Sequence, residues 1–431
     1  MNRTTAQGIL EKVLKCAKAD AVVASLHGED AASTRMSDNV ITQNVQCRKT
    51  TLHVECAYGQ RHGSASTDDL HEEALKAAVE RAQTIAQASP PDEEYLPPVE
   101  AVEAGKYARV DAFCERTARS TPEEKARALA AAAQQVQAAK LRLSGGFASG
   151  ARFFALANSA GLRAYHAMTE ASFHATVLGP AGSGWAECTA NRIGGIDVAA
   201  TARKALETCR AAQNPRPVEP GPYDVILSPA AIGEMMRFAF QWTLDAKSAD
   251  EGRSCLRGKL GTQVFGRNIG ILSDPAEPTC PTAPFFGDGM AVPRIAWVEQ
   301  GVLKNLAYSR FWAKKQGRTP TGHPTNLRMK GGDTSLERMI ASVGRGLLVN
   351  RFWYIRYVDP MRPTLTGMTR DGLFLIEDGR IAGPVQQMRF NEDTTAMLNR
   401  VEMLGPVERT GSALMPTVKV KDFHFDSATK F

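Results

Sequence analysis

The pattern that most constrains this chain occurs twice. The windows Thr34–Gly59 and Phe154–Gly179 superpose without gaps at an offset of 120 residues. Each places a polar turn early (Ser37-Asp38-Asn39 and Ala157-Asn158-Ser159), an alternating strand later, and a glycine last. Identity between them is slight, so what repeats is an order of elements. Around the first window the spacing predicts a helix over about Thr5–Ala19, extended segments including Leu52–Tyr58, and a closing helix over Thr67–Ala88. Around the second, Thr121, Pro122 and Glu124 form a capping box that opens a helix to about Lys140. Strand-like segments including Phe173–Val177 follow, and a helix over Asp197–Ala212 closes the copy. Gly145–Gly150 reads as a turn between strands. Two helix–meander–helix units predict a layered domain with an antiparallel sheet.

Two proline-rich joints, Ser89–Pro98 and Asn214–Pro222, cannot continue a helix or supply ladder donors, and read as linkers. Beyond Gly221 the texture changes to short strands with Gly/Pro turns. Ile295–Leu306 and Leu373–Ile381 read as hairpins, the second around Asp378-Gly379, and Ser335–Gly344 as a helix. The expected class is α+β. A duplicated α/β domain over 1–213, with copies at about 1–88 and 120–212, precedes a β-rich, barrel- or sandwich-like domain over 223–431.

Bulk properties remove several functions. With 43% hydrophobic and 23% charged residues among 431, the chain has an ordinary globular composition. No apolar run approaches the about 20 residues of a membrane span, and Gly8–Lys15 reads as an amphipathic helix rather than a signal peptide. A cytoplasmic location follows as an expectation. The net charge of +6 is dispersed, which argues against a nucleic-acid partner. Lys314–Arg318 reads as a solvated helix end. The eight cysteines include no C-x-x-C pair and are expected to be mostly buried; Cys255, beside Ser254 and Arg257, is the candidate reactive thiol. Gly252–Leu260 has one residue too many for a P-loop and lacks its hydroxyl, and no G-x-S-x-G elbow is present. No two of the eight histidines stand at i, i+4.

The most telling chemistry lies between Tyr223 and Asp245. Tyr223–Leu227 reads as a buried strand, and Ser228-Pro229 as a helix opening. Ile232, Met235, Met236, Ala239, Phe240 and Trp242 recur at helical spacing. Further on stand Gly287–Arg294, Val298–Lys304 (V-E-Q-G-V-L-K), Thr319–His323, Gly372–Ile381 with Pro384-Val385, and Pro416–Val420. In this order these blocks resemble the TldD/PmbA family, also labelled DNA-gyrase modulators. In the metal-bearing branch of that family the helix carries His-Glu-x-x-x-His. Here those positions read Gly233-Glu234-Met235-Met236-Arg237-Phe238.

The resemblance implies a heterodimeric metallopeptidase. One TldD-like subunit holds zinc through two histidines and a late cysteine, with the glutamate as general base, and a metal-free TldE/PmbA-like subunit helps enclose unfolded peptide. Three protein ligands leave an open position for a water whose pKa falls to about 7. Carried over, the histidines fall on Gly233 and Phe238, and the region expected to hold the cysteine, Thr410–Pro416, has none. The resemblance therefore implies the metal-free, non-catalytic subunit, with zinc in the partner and Glu234 as the retained motif glutamate.

For peptide contact the candidates are Arg351, Trp353, Tyr354 and Arg356, in the aromatic and basic run Arg351–Pro360, and Arg370 in the loop Gly367–Gly372. Strand packing would equally account for the run, and an ordinary surface turn for the loop. Two other functions stay open: an independently active peptide-processing hydrolase using Glu234 with a second site, and a non-enzymatic regulatory binding protein.

Overall fold

The structure, a computed structural model, describes residues 1–359 and 361–429, without the side chains of Gln241 and Trp242. Trp242 of the predicted helical stripe and Pro360 of the aromatic run thus lie outside the description.

The repeat is built as two like units. The first runs α1 (Arg3–Cys16), β1 (Ala21–Ser37), β2 (Val40–Tyr58), β3 (Arg61–Thr67) and α2 (Glu72–Ala88). After the single turn α3 (Glu115–Ala118) come α4 (Pro122–Gln137), β4 (Arg142–Asn158), β5 (Arg163–Leu178), β6 (Ser183–Ala190) and α5 (Val198–Ala211). The units join through β1 and β4, antiparallel from Val23 opposite Asn158 to Met36 opposite Gly145. Among the described residues this makes one six-stranded sheet in the order β3-β2-β1-β4-β5-β6. Thr121 and Glu124 exchange the two hydrogen bonds of a capping box, each 3.2 Å, so α4 begins where the sequence says. Leu10, Leu75 and Val79 pack onto Leu26, Leu52 and Val54; Leu129, Val136 and Leu206 pack onto Phe147, Phe173 and Val177.

Beyond the second joint come β7 (Gly221–Leu227), α6 (Pro229–Thr243), β8 (Ile271–Ser273), β9 (Ile295–Glu299), β10 (Val302–Leu303) and β11 (Leu327–Met329). β12 (Arg345–Asp359), β13 (Thr364–Glu377), β14 (Arg380–Pro384), β15 (Met388–Asp393), β16 (Val401–Thr410) and β17 (Ala413–Ala428) follow. Five strands close on themselves: β7 pairs with β12, β12 with β13, β13 with β15, β15 with β17, and β17 returns to β7. Of the two β-rich forms expected, the barrel is the one realised, and β11, β8, β9 and β10 continue its sheet outward from β17. Rings from strands that are not neighbours meet within it: Phe352 of β12 lies 4.5 Å from Phe390 of β15 and 5.7 Å from Phe423 of β17.

Several sequence readings are corrected. Gly145–Gly150 is no turn but the middle of β4, and a Cβ on Gly145 would fall 2.2 Å from the His174 carbonyl oxygen of β5. Gly367–Gly372 is likewise no loop. It belongs to β13, with a kink where Asp371 and Gly372 take φ of 54° and 119°. The second joint is not a free linker, because the Arg216 amide donates to the Pro384 carbonyl and its own carbonyl accepts from Gln386. The helix expected from Thr67 starts at Glu72, since β3 extends through Thr67. The cysteines are not mostly buried: Cys56, Cys209 and Cys280 are, whereas Cys16, Cys114, Cys188 and Cys255 are half-buried and Cys47 is exposed. Cys255, half-buried, packs against the barrel core, and burial pushes its thiol above the ordinary range, which weighs against a reactive thiol there.

The two halves are joined by polar contacts around β6. Asn350 Nδ2 donates to the Trp185 carbonyl at 3.1 Å, Ser183 Oγ to Asp371 Oδ1 at 2.6 Å, and Thr410 Oγ1 to Glu187 Oε1 at 2.7 Å. Arg409, almost fully buried, bonds Asn191 at 2.6 Å and Glu170 at 3.0 Å. Among the described residues no helix is long and apolar enough to cross a membrane.

Candidate functional site

β7 leads directly into α6, and the turn between them fixes the helix. Ser228 Oγ accepts from the Ala231 amide at 3.2 Å and donates to the Asn350 carbonyl of β12. Ile232, Met235, Met236, Ala239 and Phe240 of the stripe read from the sequence are buried against the barrel, and Ala231 joins them. Ala230, Gly233, Glu234 and Arg237 share another face, and this face borders a cavity of about 580 Å³. Trp185 and Glu187 of β6, Arg351 of β12, the turn Thr410–Ala413 and the segment His323–Thr325 supply its other walls. Both halves of the chain therefore build this space.

Glu234 has a buried carboxylate oxygen without a hydrogen-bond partner. Burial pushes its carboxyl above the usual carboxylate range. Arg351 and Arg237 pull it back down, while Glu187 adds to the rise. Arg351 is held between two indoles, with its guanidinium carbon 4.5 Å from the centre of the Trp185 ring and 5.3 Å from that of Trp353. Arg370 lies on Trp353 at 4.8 Å. The result is an alternating stack of Trp185, Arg351, Trp353 and Arg370. Two guanidinium groups paired directly across β12 and β13 are tolerated because Asp371, 3% exposed, forms an ion pair with Arg351 at 2.8 Å. Burial lowers the Arg351 pKa, and Asp371 opposes that shift.

Of the candidates from sequence, Glu234 and Arg351 line the cavity, while Trp353 and Arg370 extend the stack outward from it. Tyr354 and Arg356 do not line it. Tyr354 is exposed at a φ of 58°, and the Arg356 guanidinium sits 4.4 Å over its ring. Trp185, Glu187, Asp371 and Thr410 were missed. Strand alternation in Ser183–Glu187 places Trp185 and Glu187 on one side, but no sequence signal tells which surface that side meets.

The ligand positions of the motif do not fit zinc. A Cβ on Gly233 would fall 2.6 Å from Thr410 Cγ2 and 3.5 Å from Met415 Cγ, so the space for a first histidine is already filled. Phe238 has no donor atom. Its ring packs edge-on against Tyr357 at 6.0 Å, and the Tyr357 hydroxyl donates to the Phe238 carbonyl. The turn from Thr410 to Met415 contains no cysteine. Among the described residues no group of three or more His, Cys, Asp or Glu is arranged to hold a metal ion.

The description of a PmbA/TldA metallopeptidase C-terminal domain matches residues 220–427, and that of a PmbA/TldA metallopeptidase central domain matches residues 116–212. The chain belongs to the TldD/PmbA family. A metalloprotease PmbA homolog of Haemophilus influenzae is 26% identical over 409 residues, 86% of this chain and 85% of its own length. A metalloprotease of Methanothermobacter thermautotrophicus is 26% identical over 228 residues, 49% of this chain and 48% of its own. The chain spans about half the length of the curated relatives it matches first. TldE from Thermococcus kodakarensis has the same fold, with a TM-score of 0.88 and 18% identity over 97% of this chain and 100% of that one. Family and fold thus place the chain among metallopeptidase-like proteins, and the helix at the family's motif positions borders the cavity.

Proposed function

We propose that this chain is the metal-free, non-catalytic subunit of a two-subunit cytoplasmic metallopeptidase, holding unfolded peptide beside a zinc-bearing TldD-like partner. The observation that carries this reading is the Thr410 methyl group packed into the space a ligand at residue 233 would need. The Thr410 methyl group stands against residue 233, leaving no room for a side chain there, and the helix stripe is intact, as in a chain fitted to work without the ion. The remaining cavity offers a carboxyl, stacked guanidinium groups and the polar turn Thr410–Ser412, groups suited to hydrogen-bonding the main chain of an extended peptide.

The test uses the purified chain, a zinc-bearing paralogue from the same genome, and their mixture. Metal content is measured by elemental analysis and cleavage with an unfolded peptide. Zinc is expected to follow the paralogue, and cleavage to require the mixture. Full peptidase activity of this chain alone, after chelation, would overturn the proposal.

A further inference from the structure

A second cavity, of about 680 Å³, adjoins the one at Glu234, and His323, Pro324 and Thr325 are walls of both. Its character is different. On one side rings stack in a column: His27 on Phe154 at 4.4 Å, Phe154 on Phe285 at 5.3 Å, and Phe285 on Tyr107 at 5.0 Å. On the other side Phe286 meets His323 at 4.9 Å. Met168 and Val292 supply buried apolar surface. Burial holds His27 below the usual imidazole range and lowers His166 to about 4, so the histidines on the sheet side present neutral rings at pH 7.

Two glycines make room for this arrangement. A Cβ on Gly28 would overlap the Phe153 ring at 1.8 Å, and one on Gly322, at a φ of 66°, would overlap the Phe286 ring at 2.2 Å. Both rings line the cavity, so the glycines let aromatic faces lie against it. A concave space of this size, walled largely by ring faces and apolar side chains, with Glu29, Lys49 and Arg152 also on its border, fits a planar apolar group better than an extended polar chain.

We infer that this cavity is a side-chain subsite that takes an aromatic residue of the peptide whose main chain occupies the neighbouring Glu234 cavity. The inference rests on the peptide-holding reading above and adds a preference to it: bound segments carry Phe, Tyr or Trp at one position. Offset or edge-on packing of that ring against His27, Phe154 or Phe286 would supply the selectivity.

The test compares two short, capped, otherwise Ala/Ser-based peptides that differ in one residue, Phe or Ala. Binding to the full chain is measured by calorimetry, alone and in the mixture with the zinc-bearing paralogue. The Phe peptide is expected to bind at least about tenfold more tightly, equivalent to about 1.4 kcal/mol. Val292→Trp, which fills the cavity, should remove that advantage and leave the Ala peptide's affinity unchanged. His27→Ala, which removes the ring stacked on Phe154, should also reduce it. Equal affinity for both peptides, or an advantage that survives both substitutions, overturns the subsite while leaving the peptide-holding reading in place. Failure of both peptides to bind the chain and the mixture overturns the two together.

Discussion

Replacing Gly233 by alanine tests the claim that the vacated ligand position is sterically closed. The added Cβ would lie 2.6 Å from Thr410 Cγ2, closer than such contacts occur, so one group must move. Thr410 cannot rotate freely, because its hydroxyl donates to Glu187 at 2.7 Å and helps join the two halves of the chain. Overpacking of this kind costs about 1–3 kcal/mol. Against it, alanine in a helix interior gains about 1 kcal/mol over glycine. A net loss of up to about 2 kcal/mol is expected if the hydroxyl contact holds, and more if it breaks, since a hydrogen bond to a charged group contributes about 1.5–3 kcal/mol. Thr410→Ser removes the methyl group and keeps the hydroxyl. In that background the same Gly233→Ala change should stabilise by about 0.5–1 kcal/mol. The reversal of sign is the signature, and a double-mutant cycle read from denaturant melts resolves it; in thermal melts of a 431-residue chain the shift is only about 1 °C per kcal/mol. If Gly233→Ala stabilises with Thr410 intact, or destabilises equally in both backgrounds, the closed-site argument fails.

Other perturbations reach the same region. The Glu234 carboxyl has a folded pKa raised above the ordinary 4.5, so its contribution to stability is fully present below that value and is lost as pH rises through the folded pKa. Glu234→Gln should therefore be more stable than the parent at pH 7, with the difference shrinking toward zero as the pH falls to about 4.5; a variant less stable at pH 7 contradicts this. Asp371→Asn strips Arg351 of its buried counter-charge and should cost about 3–5 kcal/mol in denaturant melts, whereas a loss under about 1 kcal/mol would show the pair to be marginal. In thiol titration of the native protein, exposed Cys47 and Cys114, whose thiol is lowered by hydrogen bonds from Thr117, should react before Cys255. A fast phase that disappears in Cys255→Ser would contradict the packing assigned to it.

The repeat was legible because its evidence is local. Periodicity, a capping box and matching spacing place α4 and its sheet without reference to anything distant. The misread segments were those where local chemistry and tertiary pairing disagree. Gly145–Gly150 and Gly367–Gly372 carry turn-forming residues, yet the first is paired on both sides along its length and the second is held in β13 by pairing of Gly367–Arg370 to β12 or β15. The site divides in the same way. Glu234 could be found from its helix, and Arg351, Trp353 and Arg370 from an unusual density of rings and guanidinium groups. Their partners could not. Trp185, Glu187 and Asp371 are ordinary strand residues in sequence, and Thr410 an ordinary strand end. They acquire their roles only where β6 meets β12, β13 and the end of β16.

The closure of that barrel has a kinetic consequence. β7 is held on one side by β12 and on the other by β17, with Gly221 opposite Phe425. During synthesis the first strand of the ring must wait for the last, and α6 emerges long before the surfaces that bury its stripe. Contacts of such sequence separation make folding slow and leave apolar surface uncovered in the meantime. A ribosome-bound chain stopped short of β17 would present Met235 and Met236 to solvent, and that nascent species is where chaperone dependence and aggregation should be sought.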